Sequence, residues 1–333
     1  MCRWLAYSGS PVRLDDLLYK PANSLVMQSK HSRMGVETTN GDGFGVGWYG
    51  TEPIPGVFRS TEPAWHDRNL RELAGQASAG RVFAHIRATT GTAVQQTNCH
   101  PFRHNQWLWM HNGVLADFPK LKRDMAMAVE PDLYPEIEGS TDSELFFYLA
   151  LTFGLERNPR TAVAEAVEFI EDAGRRHGVE HPVQMTVAAT NGDTTWAFRY
   201  SSEGNSRSLF HSNDIATLQA QHSDHLPLRG LSKAPGSSSR NRWVISAAPG
   251  RKYPNPRASS STEVRSSCTR LHHLLCTPRH SEVSAAPDSS PASVVSITCR
   301  HSPSALLARP RPEPCTNGAV SAPQPPKPRQ LLR

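Results

Sequence analysis

Apolar positions recur along the chain with two different periods. In the stretch 81–87, Val82, Ala84 and Ile86 fall on one side of an extended backbone while Phe83 and His85 fall on the other, so the pattern predicts a strand. Residues 107–111, dense in tryptophan and other apolar types, predict a second strand that ends at a turn made by Asn112-Gly113. The period then changes. Thr141-Asp142-Ser143-Glu144 has the form of a capping box, in which a threonine hydroxyl and a glutamate carboxylate satisfy free N–H groups, and it precedes the apolar run 145–151. A second helix is predicted over 160–176, where Val163, Ala166, Val167 and Ile170 line one face and Gly178 lies beyond the end. Stretches 184–190 and 195–201 flank Asn191-Gly192-Asp193 and predict a hairpin.

Helices interspersed with hairpins, instead of repeated strand-helix-strand units, predict an α+β layered domain with antiparallel sheets. No internal repeat is present. From about residue 231 the periodicity gives way to Ser, Pro, Arg and Ala, and 15 of the chain's 27 prolines lie in 231–333. Such a composition buries too little apolar surface to offset its ordering entropy. The expectation is therefore one folded domain over 1–231 and a disordered Ser/Pro/Arg-rich tail over 232–333.

Charge sharpens that division. Residues 231–333 hold 15 Lys/Arg against 4 Asp/Glu, which leaves 21 against 26 in 1–230, so a tail of +11 follows a body of −5. The isoelectric point of about 9.1 comes from the tail, and the body gives no reason to expect nucleic acid as a partner. A basic tail without interleaved aromatics offers only salt-sensitive, nonspecific affinity, so nucleic-acid binding is the weaker, alternative reading. No run of about 18 apolar residues exists, and the first residues lack the apolar core of a signal peptide. A cytoplasmic protein with no membrane association is expected. The six cysteines match no disulfide scaffold, and reduced thiols are expected.

Candidate chemistry begins at Cys2, directly after the initiator methionine. Removal of Met1 would leave one residue carrying both a thiol and a free α-amine, and an amine with a pKa of about 8 can serve as base for the thiol. Attack on a carboxamide produces an oxyanion, which needs preorganised donors about 3 Å away. Asn112-Gly113 can supply a side-chain amide and an unhindered backbone N–H. A glutamine-like substrate also carries an α-carboxylate and an α-ammonium. Arg87, at a strand end, can grip the first, and Asp142, at a helix start, the second.

Singly these residues are commonplace, as a hairpin turn, a surface charge and a helix-start acid. Together, the order of Met1-Cys2-Arg3, Asn40-Gly41-Asp42-Gly43-Phe44-Gly45-Val46-Gly47-Trp48-Tyr49, the Arg87 segment from His85 to Gly91, His111-Asn112-Gly113 and Ser140-Thr141-Asp142-Ser143-Glu144 resembles the class II glutamine amidotransferases. The resemblance runs over about 1–222. It is strongest to small stand-alone members, the γ-glutamyl hydrolases of ergothioneine synthesis and glutathione degradation. It implies an N-terminal-nucleophile hydrolase fold, a four-layer α/β/β/α sandwich with antiparallel sheets. It further implies Cys2 as nucleophile with its α-amine as base, Asn112 and Gly113 as the oxyanion hole, and Arg87 and Asp142 as clamps on the glutamyl group. Gly41, Asp42 and Gly43 would form a loop against the substrate. No metal and no organic cofactor is implied. Two versions of the reaction stay open, transfer of ammonia to a separate synthase or acceptor subunit and outright hydrolysis of a γ-glutamyl metabolite.

Other groupings fit chemistry less well. His85, His100, His104 and His111 lack the tight spacing of a zinc motif and read as structural, as does Cys99. The group Cys268, His272, His273 and Cys276 sits in sequence without periodicity. Small family members also end in a segment resembling Val-Ser-Glu-Pro-Leu, which this chain lacks. Codons for 232–247, read two nucleotides later, can encode such a segment. The tail is therefore expected to be out-of-frame translation after a slip within about 222–232, in which case the enzyme would be catalytically impaired.

Overall fold

In the computed structural model, the structure describes residues 2–21, 24–30, 39–89, 91–212, 243–248 and 295–300. All belong to the first of two compact units, residues 1–301. The group Cys268, His272, His273 and Cys276 lies outside the described residues, as do Met1 and the stretch 222–232.

Two antiparallel sheets carry the fold. Sheet A contains β1 (Arg3–Arg13), β2 (Phe44–Trp48), β3 (Gly56–Ser60), β4 (Ser78–Ile86), β9 (Ser208–Ser212) and β10 (Trp243–Ala248), in the order β3-β2-β4-β1-β10-β9. Sheet B contains β5 (Phe102–His104), β6 (Trp107–Leu115), β7 (Val183–Thr190), β8 (Thr194–Ser201) and β11 (Val295–Arg300), in the order β11-β8-β7-β6-β5.

The three apolar clusters show how these sheets are layered. Trp4, Ala6 and Phe83 of sheet A meet Leu108, Met110, Ala188 and Ala197 of sheet B. On the other face of sheet A, Tyr7, Val82, Ala84 and Ile86 pack against Leu14, Leu17 and Leu18 of α1 (Leu14–Leu18), Leu25 and Val26 of α2 (Leu25–Lys30), and Leu70 and Ala74 of α3 (Arg68–Gln76). On the other face of sheet B, Trp109, Met185, Val187 and Phe198 pack against α4 (Phe118–Ala128), α5 (Asp142–Thr152) and α6 (Pro159–His177). Helices therefore cover a pair of stacked sheets, the four-layer α/β/β/α arrangement. It follows from the period-2 reading of β4, whose two faces both enter cores.

The helix and hairpin expectations hold with small shifts. Asn158 caps α6 by accepting from Thr161 N–H at 3.4 Å, and Gly178 closes it in the left-handed region at φ 70°. β7 and β8 pair with Thr190 opposite Thr195. Thr141 caps α5, its hydroxyl oxygen accepting from Glu144 N–H at 3.2 Å. The reciprocal half of the capping box does not form. The Glu144 carboxylate instead accepts from Glu138 N–H at 3.1 Å and Gly139 N–H at 2.7 Å, fastening the preceding loop to the helix.

Two expectations are corrected. Asn112-Gly113 is not a turn, because β6 runs through it to Leu115 in continuous register with β7. Glycine at 113 answers close packing instead, since a Cβ there would collide with the backbone carbonyl of Gln184. The stretch 232–333 also contributes two strands where none was expected. Trp243–Ala248 lies between β1 and β9, and Val295–Arg300 pairs with β8. Each is a short segment rich in β-branched residues, too brief to register against the surrounding Ser and Pro.

Candidate active site

Strand register assembles half of the site. Arg3, Ile86 and Phe44 lie side by side across β1, β4 and β2, so Cys2, Arg87 and Gly43, one residue beyond each, emerge together at one end of sheet A. Cys2 Sγ contacts Ala88 twice at 3.3 Å, donating to its carbonyl and accepting from its N–H. Burial pushes the Cys2 thiol above its ordinary range, and the Ala88 N–H opposes that shift by favouring the thiolate.

The 41–43 loop and the Arg87 segment brace each other. Asp42 Oδ2 accepts from Thr89 N–H at 2.7 Å, and Asp42 N–H donates to the Arg87 carbonyl at 3.3 Å. Gly43 adopts φ 103° with Cys99 Sγ and the Ser60 carbonyl at its open side, a position only glycine fits. Gly41 packs on the Trp65 ring. The buried Arg87 guanidinium donates to the Asp42 carbonyl at 3.3 Å, to the hydroxyls of Thr89 at 3.3 Å and Thr92 at 2.7 Å, and to the Ala93 carbonyl at 3.0 Å. The loop after β4 is thus wrapped around its own arginine.

Sheet B supplies the other half. Asn112 Nδ2 donates to the Cys2 carbonyl at 2.9 Å, while the Asn112 carbonyl accepts from Thr186 Oγ1 at 3.1 Å. This one contact brings residues 110 positions apart to the same point. Asp142, the first residue of α5, is held by its own side chain: Oδ2 accepts from Leu115 N–H at 2.9 Å and Oδ1 from Ser143 Oγ at 3.0 Å. Ser143 Oγ also lies 2.7 Å from His111 Nδ1. Ser143 thus links the Asp142 carboxylate to the His111 ring. The expected site residues thus fall into two braced groups that meet at residue 2.

Beneath them lies a set of buried imidazoles. His85 and His100 stack with centroids 4.2 Å apart, and burial drives His85 down to about 3 and His100 and His111 below their ordinary range. Neutral rings are packed there as core. Cys99 is likewise buried, and its thiol is pushed up to about 11. Among the described residues, no group of three or more His, Cys, Asp or Glu is placed to hold a metal ion, and no helix is long and apolar enough to cross a membrane.

Residues 20–209 match the family model of class-II glutamine amidotransferases, more than half of the chain. The chain belongs to that family. It is 34% identical over 227 residues to the Saccharomyces cerevisiae protein named "Probable glutamine amidotransferase DUG3", covering 60% of this chain and 64% of the yeast protein. The chain thus spans slightly less than two thirds of that relative. It is 29% identical over 238 residues to the γ-glutamyl-hercynylcysteine sulfoxide hydrolase of Mycolicibacterium smegmatis, covering 68% of this chain and 90% of that enzyme. Among solved structures, a glutamine aminotransferase class-II domain protein from Silicibacter pomeroyi superposes with a TM-score of 0.53 at 31% identity, covering 74% of this chain and 88% of that one.

Reasoning from sequence missed four participants in this geometry. Ala88 acts through backbone atoms and leaves no side-chain signal. Ser143 stands inside a capping pattern, which hides its bond to Asp142 and its contact with His111. Gln184 and its partner Arg207 lie outside the ordered motifs, and neither carries a signal of its own.

Proposed function

We propose that this member of the family hydrolyses the γ-carboxamide of a γ-glutamyl compound through a thioester on Cys2. The observation that carries the reading is the 2.9 Å hydrogen bond from Asn112 to the Cys2 carbonyl, beside a thiol contacting Ala88. It sets a carboxamide donor against the residue whose thiol would attack. With Met1 removed, the Cys2 α-amine takes the thiol proton as sulfur bonds the carboxamide carbon and the C=O π pair moves to oxygen. Asn112 Nδ2 and the Gly113 N–H are the donors to that oxyanion. The pair returns as the C–N bond breaks, and the α-amine delivers its proton to the departing nitrogen. Water then attacks the thioester, the thiol is restored and glutamate leaves.

The glutamyl α-carboxylate is assigned to Arg87, exchanging some of that side chain's loop partners for substrate, and the α-ammonium to Asp142. Gly41 and Asp42 border the pocket as the loop that braces Arg87. The Mycolicibacterium relative, named for hydrolysis of a γ-glutamyl compound, supports hydrolysis over ammonia transfer to a separate synthase subunit. The thiol's raised pKa supports a need for the α-amine as base. No metal or organic cofactor enters the scheme.

The test is intact-mass analysis before and after 6-diazo-5-oxo-norleucine, followed by peptide mapping. One adduct on a Met-free Cys2 is expected, and none on Cys2→Ala. A folded, Met-free protein that takes no adduct at Cys2 would sink the proposal.

A further inference from the structure

Arg207 is a second cation at this site with no role in the scheme above. It follows β8 and is fixed from β7. Gln184 stands opposite Val114 of β6 and Ser201 of β8, with its backbone carbonyl against Gly113. Its side-chain amide reaches the loop after β8 twice. Gln184 Nε2 donates to the Asn205 carbonyl at 3.3 Å, and Oε1 accepts from Arg207 Nε at 2.8 Å. The glutamine that packs against Gly113 therefore also sets the direction of the guanidinium.

That bond uses Nε and leaves the terminal nitrogens of the fork. Among the described residues, no carboxylate lies within ion-pair distance of Arg207, and it makes no other hydrogen bond. The side chain is half-buried, and its loss of hydration lowers its pKa. Its charge is close enough to Cys2 for each to influence the other's ionisation. A guanidinium partly stripped of water and lacking an anionic partner gains by meeting one.

The glutamyl unit is not taken as that partner, because in the proposed scheme its single carboxylate goes to Arg87, on the loop after β4. We infer that Arg207 binds a carboxylate carried by the leaving amine, so that the site prefers γ-glutamyl amino acids or peptides over glutamine and other neutral γ-glutamyl amides. The inference rests on the γ-glutamyl reading of the site, and Gln184 is its positioning residue. A planar fork with two parallel donors suits a carboxylate better than an ammonium would.

Calorimetric affinities of γ-glutamylglycine and γ-glutamylglycinamide for the full-length Cys2→Ala protein test this, since the two ligands differ only by the terminal charge. About a tenfold or greater preference for the acid is expected, in line with one charge-assisted contact. In Arg207→Gln the ratio should fall to about one, and Arg207→Lys should retain part of it. Equal affinities, no binding of either ligand, or a preference that survives Arg207→Gln would overturn the inference. An equal loss of both affinities in Arg207→Gln would also overturn it, by showing a general electrostatic or structural role. Turnover of both ligands by the unaltered protein is read separately. Preferential binding without any turnover would support the anion site while removing the proposed hydrolysis.

Discussion

The proposed mechanism turns on a thiol whose ionisation burial disfavours. Burial raises the Cys2 pKa, and the Ala88 N–H offsets only part of that. Cys2 should therefore alkylate slowly at neutral pH, and its reaction with iodoacetamide should keep accelerating beyond the pH at which an ordinary cysteine levels off. A rate that plateaus near pH 7 would mean an already ionised thiol and would remove the need for the α-amine as base. Arg87 illustrates the same scale. A strand-end arginine was legible in the sequence, but its four partners from Asp42 to Ala93 were not, because a loop closes on whatever acceptors its turns bring round.

At the scale of elements, strand register converts sequence separation into proximity. His85 on β4, His100 before β5 and His111 on β6 come from both sheets, and all three are buried. Their folded pKa values lie below that of an unfolded histidine, so the native state holds them neutral while the unfolded chain binds protons below about pH 6.5. The stabilisation is complete above that pH and is lost as pH falls, for His85 down to about 3. Each histidine contributes a slope of up to about 1.4 kcal/mol per pH unit in that window. Thermal unfolding should shift to lower temperature between pH 7 and pH 5, where carboxylates change little, and His85→Asn should show a shallower decline. A melting temperature flat across that interval would show that these rings do not control acid stability. Four of the strands, β4, β6, β7 and β8, were readable from the sequence, whereas their stacking was not. Asn-Gly is a common turn pair and so hides the last residues of β6 in the sequence, and only the pairing with β7 shows that the glycine serves close packing.

At the scale of the molecule, β10 bears on where the folded domain ends. It pairs with β1, the strand that leads from Cys2, and separates β1 from β9. A chain ending at residue 231 would leave that side of β1 unpaired, and exposed strand edges recruit other chains. Truncation after 231 should therefore yield soluble aggregates on size exclusion, whereas a chain ending at 301 should remain dispersed. Equal behaviour of the two would show that β10 adds nothing to the sheet. The reading-frame proposal for the tail concerns the same stretch, and the coding DNA decides it directly. Codons over 232–247 incompatible with the second frame would end it.

The sequence alone determined the family and the α+β class and nominated the residues of the proposed site, because hydrophobic period, caps and short ordered motifs are local properties of the chain. The placement of β10 and β11, the passage of β6 through Asn112-Gly113, and the turning of Glu144 away from its own cap depended on tertiary structure. So did the positions of Ala88, Gln184 and Arg207 around Cys2 and Gly113. These depend on which backbone groups and side chains meet when two sheets stack, and such contacts between distant segments leave no periodic trace in the order of residues.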